Sequence, residues 1–274
     1  MTTILEEIVA RKRVEVAKAK ENTPLETVQQ RAQQQQRPRN FFNALVDERN
    51  RARMHVIAEI KRQSPSFGVL REDFDPVDIA QQYADAGAAA LSVLTDEHYF
   101  GGHLGYIQQV KSEVNLPVLR KDFIVDQYQV WESRAAGADA ILLIAEVINE
   151  GEMLDMMILA HELKMTTLVE AHDMDRLLKV SRHIGFPHRA YSLLGINNRD
   201  LHTMETDINH TIRVAEVIEN KSVLVSESGI TSADDLRKLR RHGINIVLIG
   251  EHLMNQPSPG EALRKMLQTA DHLT

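Results

Sequence analysis

His55-Val56-Ile57-Ala58-Glu59-Ile60-Lys61-Arg62-Gln63-Ser64-Pro65-Ser66 begins as a short apolar run and ends as a polar turn. Residues 55–60 have the length of a buried strand. An open doubly wound sheet usually follows its first strand with a glycine-rich phosphate loop, and Lys61 to Ser66 contains no glycine. Downstream the same alternation recurs. Strands are expected at 90–94, 117–120, 140–144, 166–169, 193–196, 222–226 and 246–249, and helices at 76–86, 104–114, 127–136, 150–163, 208–218 and 232–242. Asp75-Pro76 and Ser232 supply helix starts, and Gly87, Gly137 and Gly243 supply stops. This succession of strand–helix units predicts parallel strands with right-handed crossovers: an α/β fold, a (β/α)8 TIM barrel over residues 55–274.

The chain ahead of the barrel has another character. Ile4, Leu5, Ile8 and Val9 share one helical face, and Leu25, Val28 and Ala32 continue helical spacing. The tract Gln33-Gln34-Gln35-Gln36-Arg37-Pro38 reads as a surface connection, and Phe41, Phe42, Ala44 and Leu45 as a further short helix. Residues 1–48 are therefore expected to form an N-terminal helical extension packed on the barrel, making 1–274 a single domain. A lid near the active site is compatible with that placement.

Composition narrows the functional classes. The chain has 274 residues, 43% of them apolar, enough for a sizeable core. Its net charge of −7 disfavours nucleic acid and anionic membranes as partners, so an anionic substrate needs a local positive pocket. The absence of cysteine excludes disulfides, thiolate metal sites and a cysteine nucleophile. Glu6 and Glu7 interrupt the first apolar stretch, so no secretory signal is read, and no apolar run reaches membrane-spanning length. A cytoplasmic protein is expected.

Position carries the functional signal. Glu59 and Lys61 close the first strand, Lys121 the third, Glu170 the fifth, Asn197 the sixth, Glu227 and Ser228 the seventh, and Gly250 the eighth. In a parallel barrel these ends lie on one face, where active sites are built. Any one of them alone could simply start a solvated loop. Glu59 and Lys61 are harder to dismiss, since residues two apart on a strand share a face and a buried Glu–Lys pair needs a purpose. Ser228-Gly229 and Gly250, before the short segment Glu251 to Met254, stand where barrels bind phosphate with backbone N–H groups. No metal constellation stands out, and no metal is expected. His98 and His103 flank a Tyr-Phe-Gly-Gly turn, readable as a solvated or a binding loop. His161, His172, His183 and His188 read as surface or locally satisfied residues.

Four motifs carry a resemblance. Val56 to Ser66, Arg120-Lys121-Asp122-Phe123-Ile124-Val125-Asp126, Gly195-Ile196-Asn197-Asn198-Arg199-Asp200-Leu201 and Ser226-Glu227-Ser228-Gly229-Ile230 resemble the signatures of indole-3-glycerol-phosphate synthases, in the same order. The resemblance implies ring closure, decarboxylation and dehydration of 1-(2-carboxyphenylamino)-1-deoxyribulose 5-phosphate, without metal or organic cofactor, by a monomer. It implies Lys121 as general acid at the carbonyl, Glu170 as base in the dehydration with Lys61 close by, and Glu59 as organiser of the lysines. It also implies Asn197 and Ser228 in contact with substrate, Ser64, Arg199 and Glu227 along the pocket, and a phosphate site of Lys61, Gly229, Gly250 and the backbone of Glu251. The residue types suit the chemistry: a cationic lysine supplies field and proton to a developing alkoxide, and a lysine–glutamate pair with shifted pKa values serves as acid and base.

Three places depart from the family pattern. Ser181 to Tyr191 is longer than usual and basic, and is expected as a surface loop away from the chemistry. Gly101-Gly102-His103 is a looser version of the usual loop after the second strand. The carboxylate of Glu251 would repel phosphate, so its side chain is expected to point away. Two rivals stay in view: another phosphate-binding barrel such as phosphoribosylanthranilate isomerase, and a catalytically silent sugar-phosphate-binding barrel. The first lacks the Glu-Ile-Lys-Arg-x-Ser-Pro-Ser stretch, and the second would be marked by loss of Lys61, Lys121 or Glu170.

Overall fold

Eight parallel strands close on themselves: β1 (His55–Ile60), β2 (Ala90–Leu94), β3 (Val118–Lys121), β4 (Ala140–Ile144), β5 (Thr166–Ala171), β6 (Ser192–Asn197), β7 (Leu224–Glu227) and β8 (Ile246–Ile249). The ring is sealed where β1 pairs with β2 on one side and with β8 on the other, Ile57 opposite Ala90 and Leu248. The computed structural model describes residues 3–46, 53–199 and 205–271. Met1, Thr2 and residues 47–48 of the expected extension, Asp200 and Leu201 of the third motif, and residues 272–274 lie outside the described residues.

Four strands have the expected bounds. β7 begins later, at Leu224, because Asn220 caps a short 3-10 turn over Lys221–Val223. The six expected helices form, with ends displaced by three residues at most. Asp75 caps the helix Pro76–Ala86 through Val77 and Asp78, and Ser232 makes a reciprocal capping box with Asp235. Unforeseen are the hairpin Gln63–Ser64 with Gly68–Val69 and the helices Glu97–Phe100 and Pro259–Asp271, while Met174–Ser181 is the helix ahead of segment 181–191, whose bounds the residues left open. Among the described residues, no helix is long and apolar enough to cross a membrane.

Strand parity organises the interior. Ile57, Leu119, Leu142, Leu168, Leu193, Val225 and Leu248 fill the barrel, while their neighbours Val56, Ala58, Val118, Ile141, Val169, Leu194 and Val247 pack outward against the helices. Two residues further along the inner parity stand Glu59, Lys121, Glu170, Gly195, Glu227 and Gly250. The same alternation that buries an apolar layer thus stacks a polar layer above it, at the C-terminal rim.

The extension runs the height of the barrel. Phe41, Phe42 and Leu45, in the helix Phe41–Leu45, join the interior cluster. Arg39 binds the carbonyls of Val114 and Leu116 at 2.8 and 2.7 Å, near the start of β3. Gln35 belongs to an ordered connection, its amide donating to the carbonyl of Ala135 at 2.8 Å. At the opposite rim, Lys12 of the helix Ile4–Asn22 is buried, 2.8 Å from Asp96 and 3.0 Å from Asp122. Segment 181–191 lies at the N-terminal rim, as expected. The carbonyl of Tyr191 accepts from the N–H of Thr167 at the start of β5, and His161 stacks on His188 with ring centroids 5.8 Å apart.

Candidate active site

The polar layer opens into a cavity of about 490 Å³ at the C-terminal rim. Every residue singled out from the sequence lines it: Glu59, Lys61, Ser64, Lys121, Glu170, Asn197, Arg199, Glu227, Ser228, Gly229, Gly250 and Glu251. Parity explains this convergence, because strands spaced around the ring deliver their last inner residues to one mouth.

Two ammonium–carboxylate pairs dominate the wall. Lys61 Nζ lies 2.8 Å from Glu59 Oε1. Lys121 Nζ donates to Glu170 Oε2 at 3.1 Å and lies 3.9 Å from Glu227 Oε2. Asn197 donates its amide to the other oxygen of Glu170 at 2.9 Å. Burial works against the charge on Lys121, but Glu170, Glu227 and Glu59 outweigh it and hold the ammonium above its ordinary pKa. Burial likewise opposes ionisation of Glu170, yet Lys121, His172 and Asn197 bring it down to about 2. Glu227 goes the other way: burial and the charge of Glu170 push it well above the usual carboxylate range. Adjacent carboxylates whose pKa values are driven apart are suited to opposite proton roles.

Glycines make room for this layer. A Cβ at position 250 would stand 2.3 Å from Glu59 Oε1, and one at 195 would stand 2.3 Å from Glu227 Oε1. Ser228 and Gly229 both adopt positive φ, +66° and +73°, and Asn198 secures the turn by donating to the Ser228 carbonyl at 3.0 Å. Successive backbone N–H groups in a tight turn of this kind can form an anion-binding concavity.

Glu251 corrects an expectation. Its side chain is not turned away from the pocket but accepts from Arg199 Nη2 at 3.0 Å, while Arg199 Nη1 donates to Ser66 Oγ at 2.9 Å. The guanidinium also lies 5.8 Å from the centre of the Phe67 ring. The repulsion expected from residue 251 is thereby offset by a paired cation.

A family profile described as Indole-3-glycerol phosphate synthase matches residues 5–266. The chain belongs to the indole-3-glycerol phosphate synthase family. The indole-3-glycerol phosphate synthase of Albidiferax ferrireducens (strain ATCC BAA-621 / DSM 15236 / T118) is 45% identical over 270 residues, covering 98% of this chain and 100% of that protein. That of Burkholderia multivorans (strain ATCC 17616 / 249) is 46% identical over 266 residues, covering 97% and 99%. Among solved structures, 3-hexulose-6-phosphate synthase from Salmonella typhimurium aligns with a TM-score of 0.62 at 15% identity, covering 79% of this chain and 98% of that one. Orotidine 5'-phosphate decarboxylase from Pyrococcus horikoshii OT3 aligns at 0.58 with 10% identity, covering 80% and 100%. At such identities the likeness is one of fold.

Within this indole-3-glycerol phosphate synthase fold, several cavity residues escaped the sequence reading. Ile4, Leu5 and Ile8 of the extension line the cavity with Phe100, Phe123 and Leu142, giving it an apolar wall. His172, read as a surface or locally satisfied residue, lines it too. Its position two residues after Glu170 was the available signal. Lys12 offered none: its carboxylate partners, Asp96 and Asp122, come from the segments after β2 and β3.

Proposed function

We propose that this chain converts 1-(2-carboxyphenylamino)-1-deoxyribulose 5-phosphate to indole-3-glycerol phosphate, carbon dioxide and water, as a single-domain monomer. The observation that carries the reading is the pairing of Lys121 with Glu170 and of Lys61 with Glu59 around one cavity that also contains Ser228, Gly229 and Gly250.

The phosphate is held by Lys61 and by backbone N–H groups at Gly229, Gly250 and Glu251. The aromatic ring rests against the apolar wall, and Ser64, Arg199, Asn197, Glu227 and Ser228 hold the polar groups of the substrate. As the ring carbon bearing the carboxylate attacks the ketone, negative charge grows on the ketone oxygen. Lys121 neutralises it and delivers its proton there. Loss of carbon dioxide returns the electron pair to the ring system. The hydroxyl then departs as water with a proton from one of the two site ammonium groups, Lys61 or Lys121, which solvent reprotonates, and Glu170 removes the proton from the amine nitrogen. Glu59 fixes the ammonium of Lys61 and adds to the negative field that keeps Lys121 charged.

The test is direct. The purified chain, given the carboxyphenylamino substrate, is expected to develop indole fluorescence in parallel with release of carbon dioxide. Absence of both signals, with substrate bound, would refute the reading.

A further inference from the structure

His172 follows β5, two residues beyond Glu170 and on the same inner parity. Its main chain is pinned from two sides. The N–H donates to Glu146 Oε1 at 2.9 Å, and the carbonyl accepts from His210 Nε2 at 2.8 Å. The second oxygen of Glu146 lies 3.4 Å from His172 Nδ1, and His172 Nε2 lies 3.8 Å from Glu170 Oε1. Among the described residues, both ring nitrogens and Glu146 Oε2 are buried without a hydrogen-bond partner. Buried polar atoms left unpaired call for an explanation, and here each one faces the group that would satisfy it after a small rotation. Catalytic hydrogen bonds are often long before substrate arrives and tighten in the complex.

We propose that His172, oriented by Glu146, is a positioning residue for Glu170 and takes over the proton that Glu170 acquires in each turnover. This rests on the assignment of Glu170 as the base. In the transfer the Glu170 Oε1–H bond breaks as the His172 Nε2–H bond forms. The carboxylate is regenerated, and the imidazolium sits between two carboxylates until it loses its proton to water. No other bond changes and no electron is exchanged.

The groups around the ring fit this role. Glu146 faces it from the segment after β4, Glu170 from β5 and Lys121 from β3, while His210 of the helix Asn209–Ala215 holds its carbonyl. Burial pushes the imidazole down, but Glu146 and Glu170 outweigh burial and the opposing charge of Lys121, so its pKa lies above the ordinary value. An imidazolium cannot accept the proton, so kcat should rise as pH climbs through that pKa.

The experiment is the kcat–pH profile, followed by indole fluorescence, of the wild type, Glu146→Gln and His172→Asn. The wild type is expected to show this acid limb. Glu146→Gln removes a negative charge that favours the imidazolium, so the limb moves to lower pH. His172→Asn abolishes the limb and lowers the plateau about tenfold, the modest end of proton-transfer effects, with KM within about twofold. If His172→Asn does not fold, Glu146→Gln, which keeps the ring, decides alone. An unmoved limb in the folded variants overturns the proposal while leaving the Glu170 assignment standing. A wild-type rate that Glu170→Gln leaves untouched fails that assignment, and the proposal with it.

Discussion

The amine of Lys121 and the carboxylate of Glu170, brought together from β3 and β5, form a 3.1 Å ion pair in which burial is overcome by mutual charge. The pair can be tested from either side: Glu170→Gln removes the carboxylate nearest the Lys121 ammonium, while Lys121→Arg keeps the cation but replaces the group that delivers the proton. Lys121→Arg and Glu170→Gln are each expected to lower kcat by about 10²-fold or more, with native circular dichroism. Near-wild-type kcat in both would remove these two residues from the chemistry.

A methyl group at position 250 tests whether Glu59 and Lys61 work as a unit. The added carbon would stand 2.3 Å from Glu59 Oε1, so Glu59 must move and Lys61 with it. Gly250→Ala is expected to cost about 1–3 kcal/mol of stability, as overpacking does, and to raise KM for the phosphate-bearing substrate. An unchanged KM and denaturation midpoint would mean that this corner yields without consequence.

Arg199 is shared between Glu251 and Ser66 before any substrate enters. Glu251→Ser frees a cation beside the proposed phosphate cradle. Inorganic phosphate is expected to inhibit the variant about threefold more strongly than the wild type, with kcat little changed and the difference shrinking at high salt. Equal inhibition at low ionic strength would show that Glu251 does not restrain anion binding.

Lys12 ties the first helix to the barrel mouth through Asp96 and Asp122. Burial opposes the charge of Asp122, but Arg120 and Lys12 bring its pKa from 3.8 down to about 2. Because the folded value is the lower one, the stabilisation is complete above pH 3.8 and is lost as pH falls towards 2. It amounts to about 2 kcal/mol at neutral pH. Lys12→Met should cost about 3 kcal/mol at pH 7, the scale of a broken buried pair, and progressively less in acid as Asp122 protonates. A destabilisation that does not vary with pH would argue for lost packing alone.

Much of this architecture was readable from residue order. Buried strands such as Ala90–Leu94 and Ala140–Ile144 are short, largely apolar runs, the first closed by Thr95 and Asp96 and the second opened by Asp139, so their places stand out. Inner parity then carries Glu59, Lys121, Glu170 and Glu227 to one rim with no further information. The bounds of helix Met174–Ser181 were not legible although its apolar face is well formed, because it is short and follows its strand closely. The Arg199–Glu251 pair was illegible for another reason. It joins side chains 52 positions apart, so local spacing could suggest repulsion at Glu251 but not its neutralisation.

Segment 181–191 sits at the rim where the strands begin, whereas substrate must enter where they end. Two ends of one cylinder thus answer to different demands. A tether to a solid support at Phe186, which is exposed, would leave the entrance clear. Lengthening or recharging that stretch should alter how the molecule sticks to its surroundings without altering how fast it turns over.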